Sequence, residues 1–323
     1  CDIGVNAKLG DGRHMVAELD ESDGSFEKFH PNIAVVTNVD WDHVNHYPTF
    51  ESVLEAFSRF IANAKEDGLL VLCGEDMGLG RIMARAPLPR EAETYGWGRG
   101  WTWGAVDVQH NHGGGVSFSL VHHGHVVADL ELSVSGNHNI LNALAACAVA
   151  HKVGIPFPVV RRVLKDFRGA KRRLQYIGNA HGVDVYDDYG HHPREIAATL
   201  EALNRMYPER RVLVAYQPHR FTRTLALYRE FAQVLSDAPT VFLLPVYRAD
   251  EDPIEGVSSG MIAQILQRDA NVVCIECRSL EHAVLELEQY CTEGDIVLTI
   301  GAGDVSNVGD MFLQKMRSLA LHI

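Results

Sequence analysis

The sequence predicts an α/β protein of two domains: a parallel sheet extended by antiparallel hairpins, followed by a doubly wound α/β domain. Three observations lead there. Beyond about residue 170, apolar strand-like runs and helical stretches alternate regularly, as in βαβ units on a largely parallel sheet. Residues 104–134 instead alternate polar and apolar around Gly113-Gly114-Gly115 and Gly124, the pattern of hairpins. Finally, 323 residues with 46% hydrophobic and 22% charged content can bury two cores of ordinary size. The change of character falls at Arg168-Gly169-Ala170-Lys171-Arg172-Arg173, so the domains are expected at residues 1–169 and 170–323.

In chain order, residues 14–19 and Ile33–Val39 read as two strands, each ending in acidic residues. Thr49 is a good N-cap for a helix through Val53, Leu54, Phe57, Phe60 and Ile61 at 3-4 spacing. A strand at Leu69–Cys73, a helical stretch to Arg85 and a Gly/Trp-rich section follow, and then the hairpins. Gly136-Asn137-His138-Asn139 opens an alanine-rich helix through Ala150, and 156–167 is a second amphipathic helix. The second domain predicts strands near 183–187, 211–216, 240–246, 271–276 and 295–300, with helices near 193–206, 222–236, 259–268, 279–290 and 304–318.

The net charge of −13 leaves no basic footprint for nucleic acid or anionic lipid. No apolar run approaches the roughly 20 residues that span a bilayer, and no signal pattern opens the chain, so a cytoplasmic protein with no membrane partner is expected. Six scattered cysteines are no disulfide framework, and Cys274-Ile275-Glu276-Cys277 reads as buried structural thiols within a strand. The histidines at 110, 112, 122, 123 and 125 spread over hairpin faces and tips, which favours solvent-exposed side chains over a metal site. The chain opens at Cys1 without methionine on what reads as mid-domain sequence, so an upstream segment is expected.

Chemistry concentrates in five places. Asp187-Asp188-Tyr189-Gly190-His191-His192-Pro193 sits on a strand-to-helix turn, where ligands bind in open α/β sheets, although such a loop can also merely cap its helix. Glu21 and His43, on strand ends, offer a hard oxygen and an imidazole for Mg²⁺ or Mn²⁺; the alternative is a capping turn at Asp20–Asp23 and a surface histidine. Asn139 and Asn142 share a helical face and suit either a base such as adenine or helix capping. Lys171-Arg172-Arg173 suits polyphosphate, or is a solvated linker. In Gln217-Pro218-His219-Arg220-Phe221-Thr222-Arg223-Thr224, Arg220 and Arg223 lie at i, i+3 near a helix start, a geometry that clamps a small carboxylate. Gly301-Ala302-Gly303 lacks the rest of a dinucleotide fingerprint and reads as a tight turn.

Ala17–Phe26, Thr37–His43, Gly136–Asn139, Asp187–Pro193, Gln217–Thr224 and Gly301–Gly303 follow one another as in the Mur ligase family, which the chain resembles over essentially its whole length. The resemblance implies the later part of the family's central ATPase domain followed by its Rossmann-like C-terminal amino-acid-binding domain. It implies an ATP-dependent, ADP-forming ligase of peptidoglycan biosynthesis that joins L-alanine to the carboxylate of UDP-N-acetylmuramate through an acyl phosphate, as a monomer or weak homodimer. It further implies Glu21 and His43 as metal ligands, Asn139, Asn142 and Arg172 at the nucleotide, and His219, Arg220 and Arg223 on the alanine carboxylate, with Asp188 and His191 at the reaction centre.

The family's UDP-binding domain and its Gly-Lys-Thr phosphate loop are not in this sequence, so the chain as given is expected to be inactive alone. Lys171 stands where the family has glycine, and Arg248-Ala249-Asp250-Glu251 replaces a small-residue loop. The alternatives are the related ligase that attaches a recycled tripeptide to the same sugar nucleotide, a non-catalytic nucleotide-binding paralogue, and a metal hydrolase built on Asp188, His191 and His192.

Overall fold

The structure is a computed structural model and describes residues 7–85, 87–111, 114–268 and 272–319. The chain divides after Arg168 into two compact units. Mixed α/β architecture with a six-stranded, mostly parallel sheet in each is observed.

The first unit contains β1 (Ile33–Val36), α1 (Phe50–Ala62), β2 (Leu69–Cys73), α2 (Met77–Arg85), β3 (Glu91–Trp97), β4 (Trp103–His110), β5 (Val116–His122), β6 (His125–Leu132), α3 (Asn137–Lys152) and α4 (Phe157–Asp166). The strands lie in sequence order; β1 to β4 pair in parallel and β4 to β6 antiparallel, as the change from apolar runs to alternation requires. Leu69–Leu72 are all fully buried because helices cover both faces of the parallel half. Thr49 caps α1: its side chain accepts from the Ser52 amide at 3.2 Å and the Ser52 hydroxyl accepts from the Thr49 amide at 3.3 Å.

Two expectations fail here. Residues 14–19 form no strand: Met15 and Val16 are 89% and 94% exposed, and β1 pairs only with β2. A short apolar run permits a strand, but a strand needs a neighbour to accept its ladder bonds. Within the Gly/Trp-rich section, β3 was hidden behind Glu91, Glu93 and Gly96, residues poor in strand propensity. It is set by its parallel register with β2.

The second unit contains β7 (Gln175–Ala180), β8 (Val183–Asp188), α5 (Pro193–Met206), β9 (Val212–Tyr216), α6 (Phe221–Leu235), β10 (Thr240–Leu243), α7 (Gly260–Leu266), β11 (Val273–Glu276), α8 (Leu280–Tyr290), β12 (Ile296–Ile300) and α9 (Ser306–Leu319). The sheet order is β11-β10-β9-β12-β8-β7, parallel except for β7, which the sequence did not disclose because Gly178 and a register shift interrupt it. β12 inserts between β8 and β9, so the chain passes over its place on the way from β8 to β9. Loops at the carboxyl ends of those three strands therefore flank one crevice, where open α/β sheets bind ligands. The core beneath includes Phe242, Phe312, Val185 and Val297, each buried, and each such side chain contributes roughly 1.5–3 kcal/mol.

Candidate active site

In the first unit the loop after β1 is wound tightly around His43. His43 takes a left-handed φ of 51°; its amide donates to Asp42 Oδ1 at 2.7 Å, and its carbonyl accepts from the His46 and Tyr47 amides at 2.8 and 2.9 Å. Its Nε2 then lies 3.2 Å from Glu21 Oε1. Asp20 and Asp23 accept from the Ser22 and Ser25 amides two residues on, each at 2.8 Å, and so brace the loop; the short helical turn Ser25–Lys28 that follows has no side-chain cap.

Ligand atoms of Asp20, Glu21 and His43 all lie within 4.8 Å of one another, and among the described residues no other three His, Cys, Asp or Glu side chains meet that condition. Two hard oxygens and one imidazole suit Mg²⁺ or Mn²⁺. Of the hairpin histidines, His112 lies outside the described residues. His122 departs from the expected exposure: its ring stacks 3.9 Å from buried Trp103. Cys277 is buried, and burial pushes the Cys274 and Cys277 thiols up to about 11 and about 12, which leaves them inert.

Asn139 is half-buried in the first turn of α3, and its side-chain amide donates to the Ser135 carbonyl at 2.7 Å. Asn142 is exposed one turn on. This bond anchors Asn139 to the preceding loop and does not cap α3, which has no side-chain cap, and the i, i+3 spacing puts the two asparagines on one face.

In the second unit the strand-to-helix turn after β8 is a hydrogen-bonded cage. Asp188 is 4% exposed; its two carboxylate oxygens each accept a 2.7 Å bond, one from the Leu174 amide and one from the Gly190 amide. Burial outweighs these bonds and raises its pKa above the usual carboxylate value. Its two oxygens thus hold the backbone of the turn, each with a further lone pair left to accept. His192 caps α5, accepting from the Arg194 amide. Among the described residues this turn holds no group of three His, Cys, Asp or Glu ligand atoms within 4.8 Å of one another.

His191 is brought to the second cluster, its ring centroid 5.9 Å from that of His219. His219 in turn stacks on Tyr247 at 5.6 Å and 10° between planes. Arg223, 5% exposed, donates from Nη1 to His219 Nδ1 at 3.1 Å. Arginine has no acceptor, so Nδ1 must be unprotonated and the ring proton sits on Nε2. Burial first, then the charges of Arg223, His191 and Arg220, pull the His219 pKa down to about 4. Arg220 holds a left-handed φ of 72° at the start of α6, and its amide donates to the Tyr247 carbonyl at 2.8 Å.

Beside this cluster a cleft of about 730 Å³ opens at the carboxyl ends of β9, β10 and β12, walled by Gln217, Tyr247, Arg248, Glu281 and Asp304 among others. Tyr247 was not singled out from the sequence, where nothing marks it; a single-residue bridge to His219 brings it in.

Residues 3–150 match the model of the Mur ligase middle domain, and residues 172–303 that of the "Mur ligase, glutamate ligase domain". A protein of Lawsonia intracellularis named UDP-N-acetylmuramate–L-alanine ligase is 41% identical over 317 residues, which are 96% of this chain and 68% of that protein. The chain belongs to the Mur ligase family. Members of this family are ATP-dependent amide-bond ligases. The Geobacter sulfurreducens protein of the same name is 42% identical over 97% of this chain and 68% of its own length. The crystal structure of the UDP-N-acetylmuramate-alanine ligase MurC of Thermotoga maritima superposes with a TM-score of 0.71 at 26% identity, over 93% of this chain and 63% of that one. The chain thus spans about two thirds of the length of these relatives.

Proposed function

We propose that the chain carries the nucleotide-handling and amino-acid-handling parts of a cytoplasmic ligase that joins L-alanine to the carboxylate of UDP-N-acetylmuramate in peptidoglycan synthesis. The observation that carries this reading is the buried Arg223 donating to His219 beside half-buried Arg220, in a chain 41% identical to a protein named for that reaction. Two guanidiniums and an imidazole that keeps its proton on Nε2 are all donors, which is what an amino-acid carboxylate needs. The same geometry argues against His219 as the proton acceptor, since its acceptor nitrogen is occupied by Arg223 and its pKa is about 4.

In the reaction, the muramoyl carboxylate attacks the γ-phosphorus of ATP, ADP leaves, the alanine amine attacks the acyl carbon and phosphate departs. The enzyme's part is to neutralise charge and position reactants. Glu21 and His43, with Asp20, would hold Mg²⁺ or Mn²⁺, which supplies neutralisation of phosphate charge when bound. Asn139 and Asn142 face the adenine. His219, Arg220 and Arg223 hold the alanine carboxylate, and His191, at 5.9 Å from His219, borders the same space.

One observation favours a larger acceptor such as a peptide: a cleft of about 730 Å³ far exceeds what a methyl side chain fills. The deciding experiment is saturation-transfer NMR of the chain with L-alanine and with a free tripeptide that opens on L-alanine, alongside binding of a fluorescent ADP analogue. Binding of nucleotide and alanine supports the proposal; preference for the tripeptide replaces it with the recycling reaction. Nucleotide binding without either acceptor favours the non-catalytic paralogue.

A further inference from the structure

The resemblance to the family implies Arg172 at the nucleotide, yet its guanidinium is turned into the second unit. Nε donates to Asp187 Oδ2 at 2.8 Å, Nη2 to the Gly301 carbonyl at 2.6 Å and Nη1 to the Gly303 carbonyl at 3.4 Å. Asp187 has only 2% of its side chain exposed and is itself anchored by Thr299, whose hydroxyl donates to Oδ1 at 2.7 Å. Arg172 thus ties the end of β8 to the turn after β12. Arg173, by contrast, is 49% exposed and paired with Glu195 at 2.9 Å.

The turn that Arg172 holds leads directly into Asp304, which lines the cleft. Gly301 takes a φ of 146° and its amide donates to the Asp188 carbonyl at 3.1 Å. Gly303 packs so closely that a Cβ there would overlap Gln217 Oε1 and lie 2.6 Å from Tyr247 Cγ. The next residues close the circuit: Gln217 accepts from the Val305 amide at 3.1 Å and donates to Asp304 at 2.7 Å. Gln217, Tyr247 and Asp304 all line the cleft, and Tyr247 stacks on His219.

We propose that Arg172 is a positioning residue for the acceptor amino acid, acting through the Gly301–Gly303 turn on Gln217 and Tyr247, and not a nucleotide contact. The proposal rests on the reading of His219 and Arg223 as the amino-acid site. Lysine keeps the charge of Arg172 but cannot reproduce a three-pronged fork. The latch needs that fork, and a guanidinium bound to phosphate would likewise lose its second hydrogen bond in the exchange, so the two accounts differ in which affinity falls.

The experiment compares Arg172→Lys and Asp187→Asn with the parent chain. Asp187 is buried and touches no substrate under either account, so it reports on the latch alone. Amide hydrogen exchange is followed at Gly301 and Val305, with binding of a fluorescent ADP analogue and of L-alanine. The proposal expects exchange at both amides to quicken about tenfold and L-alanine affinity to fall about fivefold in both variants, with nucleotide affinity unchanged, because each loses a charge-assisted bond of the latch. Loss of nucleotide affinity in Arg172→Lys with exchange unchanged overturns it, as does unchanged exchange in both variants. If the parent binds neither ligand, the functional reading fails, and the exchange rates still decide whether the latch exists.

Discussion

The Tyr47 hydroxyl donates a 2.8 Å hydrogen bond to the backbone carbonyl of Glu21, from a side chain only 4% exposed. Burial pushes the phenol up to about 12, so it remains a donor throughout the neutral range. Its backbone is held in turn: the Tyr47 amide donates to the His43 carbonyl at 2.9 Å and its carbonyl accepts from the Trp41 indole at 3.0 Å. One residue therefore joins the loop carrying Glu21 to the loop carrying His43.

Replacing Tyr47 by Phe is expected to weaken Mn²⁺ binding to the chain by about fivefold, the worth of one net hydrogen bond of roughly 1 kcal/mol. Electron paramagnetic resonance of free Mn²⁺ measures this, with thermal unfolding followed on the same samples. Unchanged Mn²⁺ affinity would show that Glu21 holds its place without the phenol.

Asp188→Asn is expected to destabilise the second unit by about 2 kcal/mol, because an amide nitrogen must face one of the two backbone donors that the carboxylate now accepts. Urea unfolding reads the change. A variant as stable as the parent would show that the turn holds without the carboxylate.

His219 makes the fold sensitive to acid. Its pKa of about 4 in the folded chain lies below the ordinary 6.5, so between those values the unfolded state binds a proton that the folded state refuses. Stability then falls as pH drops through 6.5 towards 4, and this penalty is absent above 6.5. His219→Gln removes the titrating group. The stability gap between parent and variant should change over pH 4–6.5 and stay constant above it, as urea titrations at stepped pH would show. Parallel curves throughout would mean that His219 titrates alike in both states.

Much of the second unit is legible because its signals are local. The fully buried five-residue strands β9 and β12 are bare apolar runs, and Pro193 and Ser279 announce α5 and α8. β7 escaped because Gly178 breaks its alternation, and residues 14–19 misled because a short apolar run carries no information about a pairing partner. Of the candidate residues, Glu21 with His43 and His219 with Arg223 were each named from the sequence and are each brought into contact.

What the sequence by itself determined is the α/β architecture, the placing of polar clusters at strand ends and the membership of a ligase family, because periodicity, caps and motif order are properties of short segments. The tertiary structure alone decided which partner each polar group takes. Insertion of β12 between β8 and β9 sets Thr299 beside Asp187 and the Gly301 carbonyl beside Arg172, across separations of 112 and 129 residues. It is the same folding that spends Asp188 on the amides of Leu174 and Gly190 and fixes the His219 proton through Arg223. A buried polar group must be satisfied by whatever donor or acceptor packing brings within about 3 Å, and no local pattern in the chain encodes that choice.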